Sequence, residues 1–417
     1  MKRSLLVVPV FLIGGIAVAM WLIARWGLEA VRHTDRLNGL EWRIHVNGIR
    51  GKSTVTRIVA GMLREAGYGT IGKSTGTAAA VITNEGHDEP IVRKGPATIL
   101  EQIEIVKEWV TDDIDALVIE CMALRPEYQH TSETQIVKSN IGVLTNVRED
   151  HQDVMGDTLK EIAVSLMSTC PINGTLITAE QDPAILRVIE REAKKRNTEV
   201  IVADPNAVTD EDIARFDYIA FKDNVAIGLV LARMLDIPRD VAMKGMVEAA
   251  PDPGVLRMKE LRILDKHVTW ANLFAVNDRE SMMVAFEKLR DFVTPDTTIV
   301  GILNNRADRE LRAIQFADVA VRDLSFDRLV TFGAFEGLVT DRLVENGYRL
   351  DHILNLGDNT SPSVDRIVQR MIGDMPTSHV LVVGFVNIHT HQAEEMLEYF
   401  EHQAEPWIAG TTAETDV

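Results

Sequence analysis

Seven consecutive residues, Gly48-Ile49-Arg50-Gly51-Lys52-Ser53-Thr54, have the types and order needed to hold a chain of phosphates. Glycines let backbone N–H groups turn inward around oxygens, Lys52 reaches the terminal phosphates, and the Ser53 hydroxyl can ligate Mg²⁺. The loop departs from G-x-x-x-x-G-K-[ST] in placing Val46 at the first glycine position. A bare Gly-Lys-Ser also fits an ordinary strand-to-helix turn. Here an apolar run precedes it, and a helical run follows with Val55, Ile58, Val59, Met62 and Leu63 on one face. Strand, glycine pair and helix together point to nucleotide binding.

Two further groups can join that site. Glu120 closes the run Ala116-Leu117-Val118-Ile119, so its carboxylate is expected at the carboxyl edge of a sheet, where it can hold Mg²⁺. A merely solvated strand-end acid is the alternative. After the run 141–147 comes a cluster of Asp150, His151 and Asp153, which offers oxygen and imidazole ligands to a cation or hydrogen bonds to a terminal phosphate.

The elements that must position these residues alternate between apolar β-rich runs and helical runs, the pattern of an α/β fold with a parallel sheet. Strands are expected at 42–46, 115–120, 141–147, 174–178, 199–203 and 217–221, and helices at 53–66 and 98–111. A break at Ala250-Pro251-Asp252-Pro253-Gly254 is followed by strand runs at 298–303, 328–332 and 379–384, which indicates a second α/β domain. Ser361-Pro362 reads as the start of a helix reaching Ile372. The expected organisation is an anchor and connector over 1–40, an ATP-binding domain over 41–256, a C-terminal α/β domain over 257–404 and a frayed tail over 405–417.

Leu5 to Ala24 is an uncharged, mostly aliphatic run between Lys2-Arg3 and Arg25, long enough as a helix to cross a bilayer core. Trp21 and Trp26 suit an interface belt. Ala17-Val18-Ala19 resembles a signal-peptide cleavage site, but apolar residues continue past it and ATP chemistry belongs in the cytosol. The expectation is therefore one uncleaved transmembrane helix with the catalytic body in the cytoplasm at the cell membrane. A net charge of −18 excludes broad binding to nucleic acid. Two cysteines, Cys121 and Cys170, are too few for a disulfide framework and read as buried apolar residues.

The Gly-x-x-Gly-Lys-Ser-Thr loop, the strand-end Glu120 and the segment Asn146-x-x-x-Asp150-His151-x-Asp153 together resemble the ATP-binding domain of the Mur ligase family, which includes folylpolyglutamate synthase. The likeness is closer to the membrane-associated PgsB/CapB branch that makes poly-γ-glutamate. It is carried by Val46 to Arg57, Glu65-Ala66-Gly67-Tyr68, Ser74-Thr75-Gly76-Thr77, Glu120-Cys121-Met122-Ala123, Asp153-Val154-Met155-Gly156, Pro251 to Gly254 and Asn305-Arg306-Ala307-Asp308-Arg309.

The resemblance implies a Mur-ligase-like P-loop domain followed by a C-terminal Rossmann-like domain, with ATP and Mg²⁺ as cofactors. It places Gly48 to Thr54 around the triphosphate and Ser53, Glu120 and His151 around Mg²⁺, with Lys52, Glu120, His151 and Arg306 as catalytic groups. Arg257 is implied as an interdomain arginine reaching the nucleotide, and Asn272 stands where many relatives bind ribose. Arg306 and Arg309 would grip a carboxylate. Three departures are visible. Residues 158–172 offer only Lys160 where many Mur ligases carry a carbamoylated lysine, Ala78 stands where the closer relatives tend to have Asp, and Gly384-Phe385-Val386-Asn387-Ile388-His389-Thr390 has lost two glycines. His389-Thr390-His391 lacks partner ligands at a metal-binding spacing and reads as structural.

The implied activity is ATP-dependent amide ligation. A glutamate γ-carboxylate becomes an acyl-phosphate, and the amine of the next glutamate displaces phosphate. The implied partners are glutamate, the growing polymer, other membrane subunits of a synthase and export complex, and a further copy of the chain in a homo-oligomer. A Mur or folate-type ligase with another acceptor, a P-loop kinase, and a non-catalytic membrane nucleotide-sensing subunit are the alternatives.

Overall fold

Residues 116–120 are a short, mostly aliphatic run, residues 42–47 carry Ile44 and Val46 among polar residues, and each becomes a central strand. The computed structural model describes residues 4–75, 79–93, 95–216, 218, 220–252, 258–274, 276, 279–290, 293–357, 364–387 and 390–406. They fall into two units, one of residues 1–215 with 220–252 and one of 216–219 with 253–417.

The first unit is built on eight strands: β1 (Trp42–Asn47), β2 (Thr70–Ser74), β3 (Ala80–Ile82), β4 (Asp88–Pro90), β5 (Ala116–Glu120), β6 (Ile141–Leu144), β7 (Thr175–Thr178) and β8 (Glu199–Val202). Their order is β4-β3-β2-β5-β1-β6-β7-β8, parallel except where β3 pairs with β2 and with β4. Strand β1 is central, with Val46 level with Glu120 of β5 and Asn47 level with Leu144 of β6. The loops that follow these three strands therefore open side by side. Ile44, Val46, Leu117, Val118 and Ile119 are wholly buried, each contributing about 1.5–3 kcal/mol from apolar area removed from water.

The phosphate loop leads into helix Lys52–Glu65, whose expected buried face is joined by Thr56, Arg57, Ala60 and Gly61. It is covered on a second side because Gly61 and Gly245 meet at backbone distance. A Cβ on Gly61 would lie 2.4 Å from the Gly245 carbonyl oxygen. The sequence pattern of one apolar face could not register a helix sandwiched between a sheet and helix Arg239–Glu248.

Two sequence expectations are corrected in this unit. Strands β2 to β4 escape an apolar-run reading because β2 carries Lys73 and Ser74, buried against Glu101 and Arg57, β3 is only the three residues Ala80–Ile82, and β4 is exposed. No strand forms at 217–221 among its described residues. Phe221 instead leads into helix Lys222–Met234.

The second unit has seven strands: β9 (Met258–Ile263), β10 (Lys266–Leu273), β11 (Thr297–Asn305), β12 (Arg328–Gly333), β13 (Ile353–Asn355), β14 (His379–Phe385) and β15 (Glu405–Pro406). The order is β13-β12-β11-β14-β10-β9-β15, and the strands are parallel except for β9 against β10 and β15. Apolar residues cover both faces, with Phe316, Phe385 and Leu303 on one and Trp270, Phe332 and Phe400 on the other. The helix expected from Ser361 is described from Val364 to Ile372; Ser361 and Pro362 lie outside the described residues.

Residues Ser4–Gly39 form one helix. Among the described residues no helix is long and apolar enough to cross a membrane, and the side chains of residues 4–18, which carry most of that expectation, lie outside them. The end of the helix joins the first unit: Leu37 and Leu40 enter its core, and His33 Nε2 hydrogen-bonds with the Ile136 carbonyl at 2.7 Å. Both cysteines are free and buried, and burial pushes the Cys170 thiol up to about 11.

Candidate active site

The loop after β1 turns on two glycines at which any side chain would be strained. Gly48 has φ +131°, and a Cβ there would lie 2.0 Å from Thr145 Oγ1. Gly51 has φ +79° at the start of the helix, and a Cβ would meet Asn224 Oδ1 at 2.6 Å. Both positions are left-handed and sterically closed, so the glycines are fixed by geometry.

Neighbouring strands tie this loop down. The Arg50 carbonyl accepts from Thr145 Oγ1 at 2.6 Å and from Asn146 Nδ2 at 3.1 Å. Asn146 Oδ1 accepts from the Arg50 N–H at 3.0 Å, while its backbone carbonyl accepts from Ile49 at 3.3 Å. Lys52 curls over the loop and donates to the carbonyls of Gly48 at 2.8 Å and Ile49 at 3.2 Å. Burial lowers the Lys52 pKa, against the attraction of Glu120.

Glu120 emerges from β5 at 2 % exposure. Its Oε2 accepts from Ser53 Oγ at 2.9 Å and from the Thr75 N–H at 2.6 Å. A hydroxyl and a carboxylate oxygen side by side at a helix start are hard oxygen donors, the set Mg²⁺ prefers. This donor chemistry fits the cation that the sequence implied.

The segment after β6 adds charge of both signs. Arg50 pairs with Asp150 at 3.0 Å, and Asp150 Oδ1 accepts from the His151 N–H at 2.9 Å. His151 has φ 48°, a left-handed conformation that turns the chain into the short helix Gln152–Met155. Burial lowers its pKa and so do the nearby Lys52 and Arg50, which together outweigh Asp150. The shift favours the neutral imidazole, the form with a lone pair to offer. Asp153 is exposed on that helix.

Several supporting residues have no motif to announce them. Lys73 is fully buried on β2, paired with Glu101 at 3.2 Å, and burial lowers its pKa against the pull of Glu101. Arg57, 1 % exposed, makes a two-pronged contact with Asp88 at 2.8 and 2.7 Å. Behind β1, His45 Nδ1 lies 2.7 Å from Glu133. Burial alone would push His45 down, but the Cys121 thiol and Glu133 beside it carry it up to about 9. Lys73 and His45 are signalled in the sequence only as polar residues inside strands, and Arg57 only as a basic residue within the helix Lys52–Glu65.

The second unit presents a different edge. Asn305 ends β11 at 1 % exposure, and neither its side-chain nitrogen nor its oxygen has a hydrogen-bond partner among the described residues. Leaving such a group unpaired costs about 1–3 kcal/mol. Beyond β14, Val386 has φ +91° and is wholly buried. It holds the left-handed conformation for which the lost glycine would be suited, at a cost of about 1–3 kcal/mol. Gly384 answers to packing, since a Cβ would lie 2.7 Å from the Phe274 and Trp270 rings. Asn304 and Asn387 clamp the two strand ends by reciprocal amide bonds of 2.5 and 3.0 Å.

Arg306 forms a bidentate pair with Asp308 at 3.0 and 2.9 Å, and Arg309 reaches the same carboxylate at 3.5 Å. Asn272 lies near the end of β10, and its Oδ1 accepts from the Phe274 N–H at 3.2 Å. Arg257 and His389 lie outside the described residues, as does Ala78. Lys160 is exposed. Gly48 to Thr54, Glu120 and His151 thus gather at one edge of the first unit, while Asn272 and Arg306 belong to the second.

Residues 46–244 match the family model of the Mur ligase middle domain, and residues 258–403 match that of the poly-gamma-glutamate synthase CapB C-terminal domain. Among curated relatives, the capsule biosynthesis protein CapB of Bacillus anthracis is 36 % identical over 93 % of this chain and 82 % of its own length. The PGA synthase CapB of Bacillus subtilis is 38 % identical over 89 % of this chain and 93 % of its own. Among solved structures, E. coli FolC in complex with ADP superposes with a TM-score of 0.63 at 14 % identity, covering 92 % of this chain and 97 % of that one. MurF from Acinetobacter baumannii gives the same TM-score and identity over 90 % and 79 %. At such identities the structural likeness speaks for the fold.

Proposed function

We propose that this chain, which belongs to the CapB family of poly-gamma-glutamate synthases built on a Mur ligase middle domain, is the ATP-dependent ligase of such a synthase. The observation that carries the proposal is the closed constellation of Gly48, Gly51, Lys52, Ser53 and Glu120, which fits a triphosphate with its cation, in a chain matched over both units by that family. In the reaction a γ-carboxylate oxygen attacks the terminal phosphorus of ATP, releasing ADP and leaving an acyl-phosphate. The amine of the incoming glutamate then attacks the acyl carbon, expelling phosphate and losing a proton to form the amide.

This chain's residues contribute mainly charge and position. Lys52 leaves its own loop carbonyls to meet the terminal phosphates, and the N–H groups of 48–54 cradle the chain of oxygens. Mg²⁺, when held by Ser53, Glu120 and His151, neutralises charge on the transferring phosphoryl group. Arg50 sits across Asp150, so a phosphate that competes for its guanidinium also loosens the Asp150-His151 turn.

For the incoming amino acid, the loop after β11 supports a carboxylate grip by Arg306 and Arg309, with the buried Asn305 amide as a partner for a bound polar group. Arg257 and Asn272 remain assigned to the nucleotide by resemblance. The anchor is part of the same reading: residues 5–24 span the membrane and hold the catalytic body on the cytoplasmic side. Exposed Trp21 near the end of the apolar run and Trp26 just past it support this, as does the docking of Leu37 in the folded body. Such an anchor would hand the growing polymer to membrane partners, and a further copy of the chain is a compatible neighbour.

The test is incorporation of labelled glutamate by membranes carrying this chain and its partner subunits, with ADP release followed in parallel. Lys52→Ala is expected to abolish both signals, by about a thousandfold or more, with the unfolding temperature unchanged. Equal incorporation by the variant would sink the assignment. ADP release that does not depend on glutamate would favour a nucleotide-sensing subunit, and a stable phosphorylated product without amine would favour a kinase. Resistance of the chain to alkaline extraction from membranes tests the anchor, and release into the supernatant would refute it.

A further inference from the structure

At the amino end of the second sheet, opposite that sheet's own carboxyl edge, two histidines and a glutamate meet. Glu260 comes from β9, His267 from β10 and His379 from β14. His267 and His379 are level in the β10–β14 register. Among the described residues these three form the one group of His, Cys, Asp or Glu side chains whose ligand atoms all lie within 4.8 Å of one another. Their end of β14 is six residues from Phe385, about 20 Å along the strand at the usual rise.

The surroundings orient these donors. His379 Nδ1 lies 3.1 Å from Thr297 Oγ1, and with that hydroxyl accepting the Nδ1 proton, Nε2 is left as the lone-pair nitrogen. Nε2 points toward Thr269 Oγ1 at 3.0 Å, and that hydroxyl is also 3.1 Å from both oxygens of Glu260. Glu260 contacts His267 Nε2 directly. A histidine whose far nitrogen is fixed by a hydrogen bond is the arrangement found around bound metals, where the outer partner sets tautomer and ring direction.

We infer that Glu260, His267 and His379 form a site for a borderline divalent cation such as Zn²⁺ or Co²⁺, separate from the Mg²⁺ of the ATP site. Two imidazoles with one carboxylate suit zinc or cobalt, whereas magnesium asks for oxygen donors. A tetrahedral zinc with bonds of about 2.0–2.1 Å keeps its donors about 3.3 Å apart. The two rings are stacked at 4.5 Å and 9°, so a bound cation requires His267 to turn about its soft outer torsion while Thr297 holds His379. Thr269, itself buried, keeps its hydroxyl within hydrogen-bond reach of both Glu260 and His379. A cation there would fasten the antiparallel β9 to β10 and β14, and its function is to staple the edge of the C-terminal sheet.

The test uses the full-length protein, stripped with chelator and supplied with excess Mg²⁺ to occupy the oxygen-donor site. Titration with Co²⁺ should give one equivalent with the visible absorption of a tetrahedral centre, displaced by Zn²⁺, and either metal should raise the unfolding temperature. His379→Ala should lose the absorption and the thermal shift. Glu260→Gln alters an exposed side chain, so it keeps the fold should the histidine variant fail, and it should weaken Co²⁺ binding at least about tenfold. Thr297→Val should weaken it by about 10–100-fold through the freed ring. Absence of the absorption in the wild type, or equal Co²⁺ binding by Glu260→Gln and wild type, overturns the inference.

Discussion

At the carboxyl edge of the first sheet each polar group answers another. Lys52 is folded onto loop carbonyls, Ser53 onto Glu120, and Arg50 onto Asp150, Thr145 and Asn146. At the carboxyl edge of the second sheet Asn305 lies buried without a side-chain partner among the described residues, and Val386 is held in a left-handed conformation. One edge is assembled in advance for a ligand of known charge. The other stores unfavourable free energy, of the kind that folded proteins keep where a ligand or a closing motion relieves it. On the proposed assignment of the two edges, a triphosphate can be met by fixed dipoles and glycines, whereas an amino acid and a growing polymer must be admitted and released at each step.

The sharpest way to break this comparison is to disturb the assembled edge. Gly48→Ala drives a Cβ into Thr145 Oγ1 at a left-handed φ. It should cost about 3 kcal/mol or more of stability and remove ATP binding, both read by thermal unfolding with and without nucleotide. An unperturbed variant would show that the loop is looser than described.

Behind the same edge, the His45–Glu133 pair makes a pH-dependent contribution. His45 is raised from 6.5 to about 9 in the fold, worth about 3 kcal/mol at 1.36 kcal/mol per pH unit. That stability is fully present below the unfolded pKa and is lost as pH rises through about 9. Denaturant midpoints measured from pH 6 to 10 should fall across that window in the wild type, and the fall should flatten in Glu133→Gln.

On the second edge the signs reverse. Asn305→Leu replaces an unpaired buried amide with an apolar side chain and should stabilise the fold by about 1–2 kcal/mol, while raising KM for glutamate about tenfold. Destabilisation would mean that the amide is satisfied in the native state. Smallest of all, Asp308→Asn releases Arg306 and Arg309 from an exposed pair and should change stability by less than about 0.5 kcal/mol. Its readout is KM for glutamate against that for ATP; movement of the ATP constant alone would place these arginines outside the amino-acid site.

The sequence made the α/β class and the phosphate edge legible for a physical reason. Glycine at a left-handed turn, lysine one residue on, and a carboxylate ending an apolar strand are local requirements, and each leaves its mark within a few positions. The register of β1 between β5 and β6 then brings Glu120 and Asp150-His151 to Lys52, as their strand-end positions suggested. Strands β2 to β4 were not legible, because Lys73 on β2 is buried only by virtue of Glu101 from elsewhere in the chain, β3 spans three residues and β4 is exposed. The antiparallel β9 is likewise invisible to a search for apolar runs.

The sequence by itself determined the triphosphate chemistry, because that chemistry rests on backbone shape and on residues adjacent in the chain. Only the tertiary structure decided that Asn305 is orphaned, that Val386 takes a glycine's conformation, and that Glu260, His267 and His379 converge. Those properties depend on what packs around a side chain, and the packing partners come from strands up to more than a hundred residues apart.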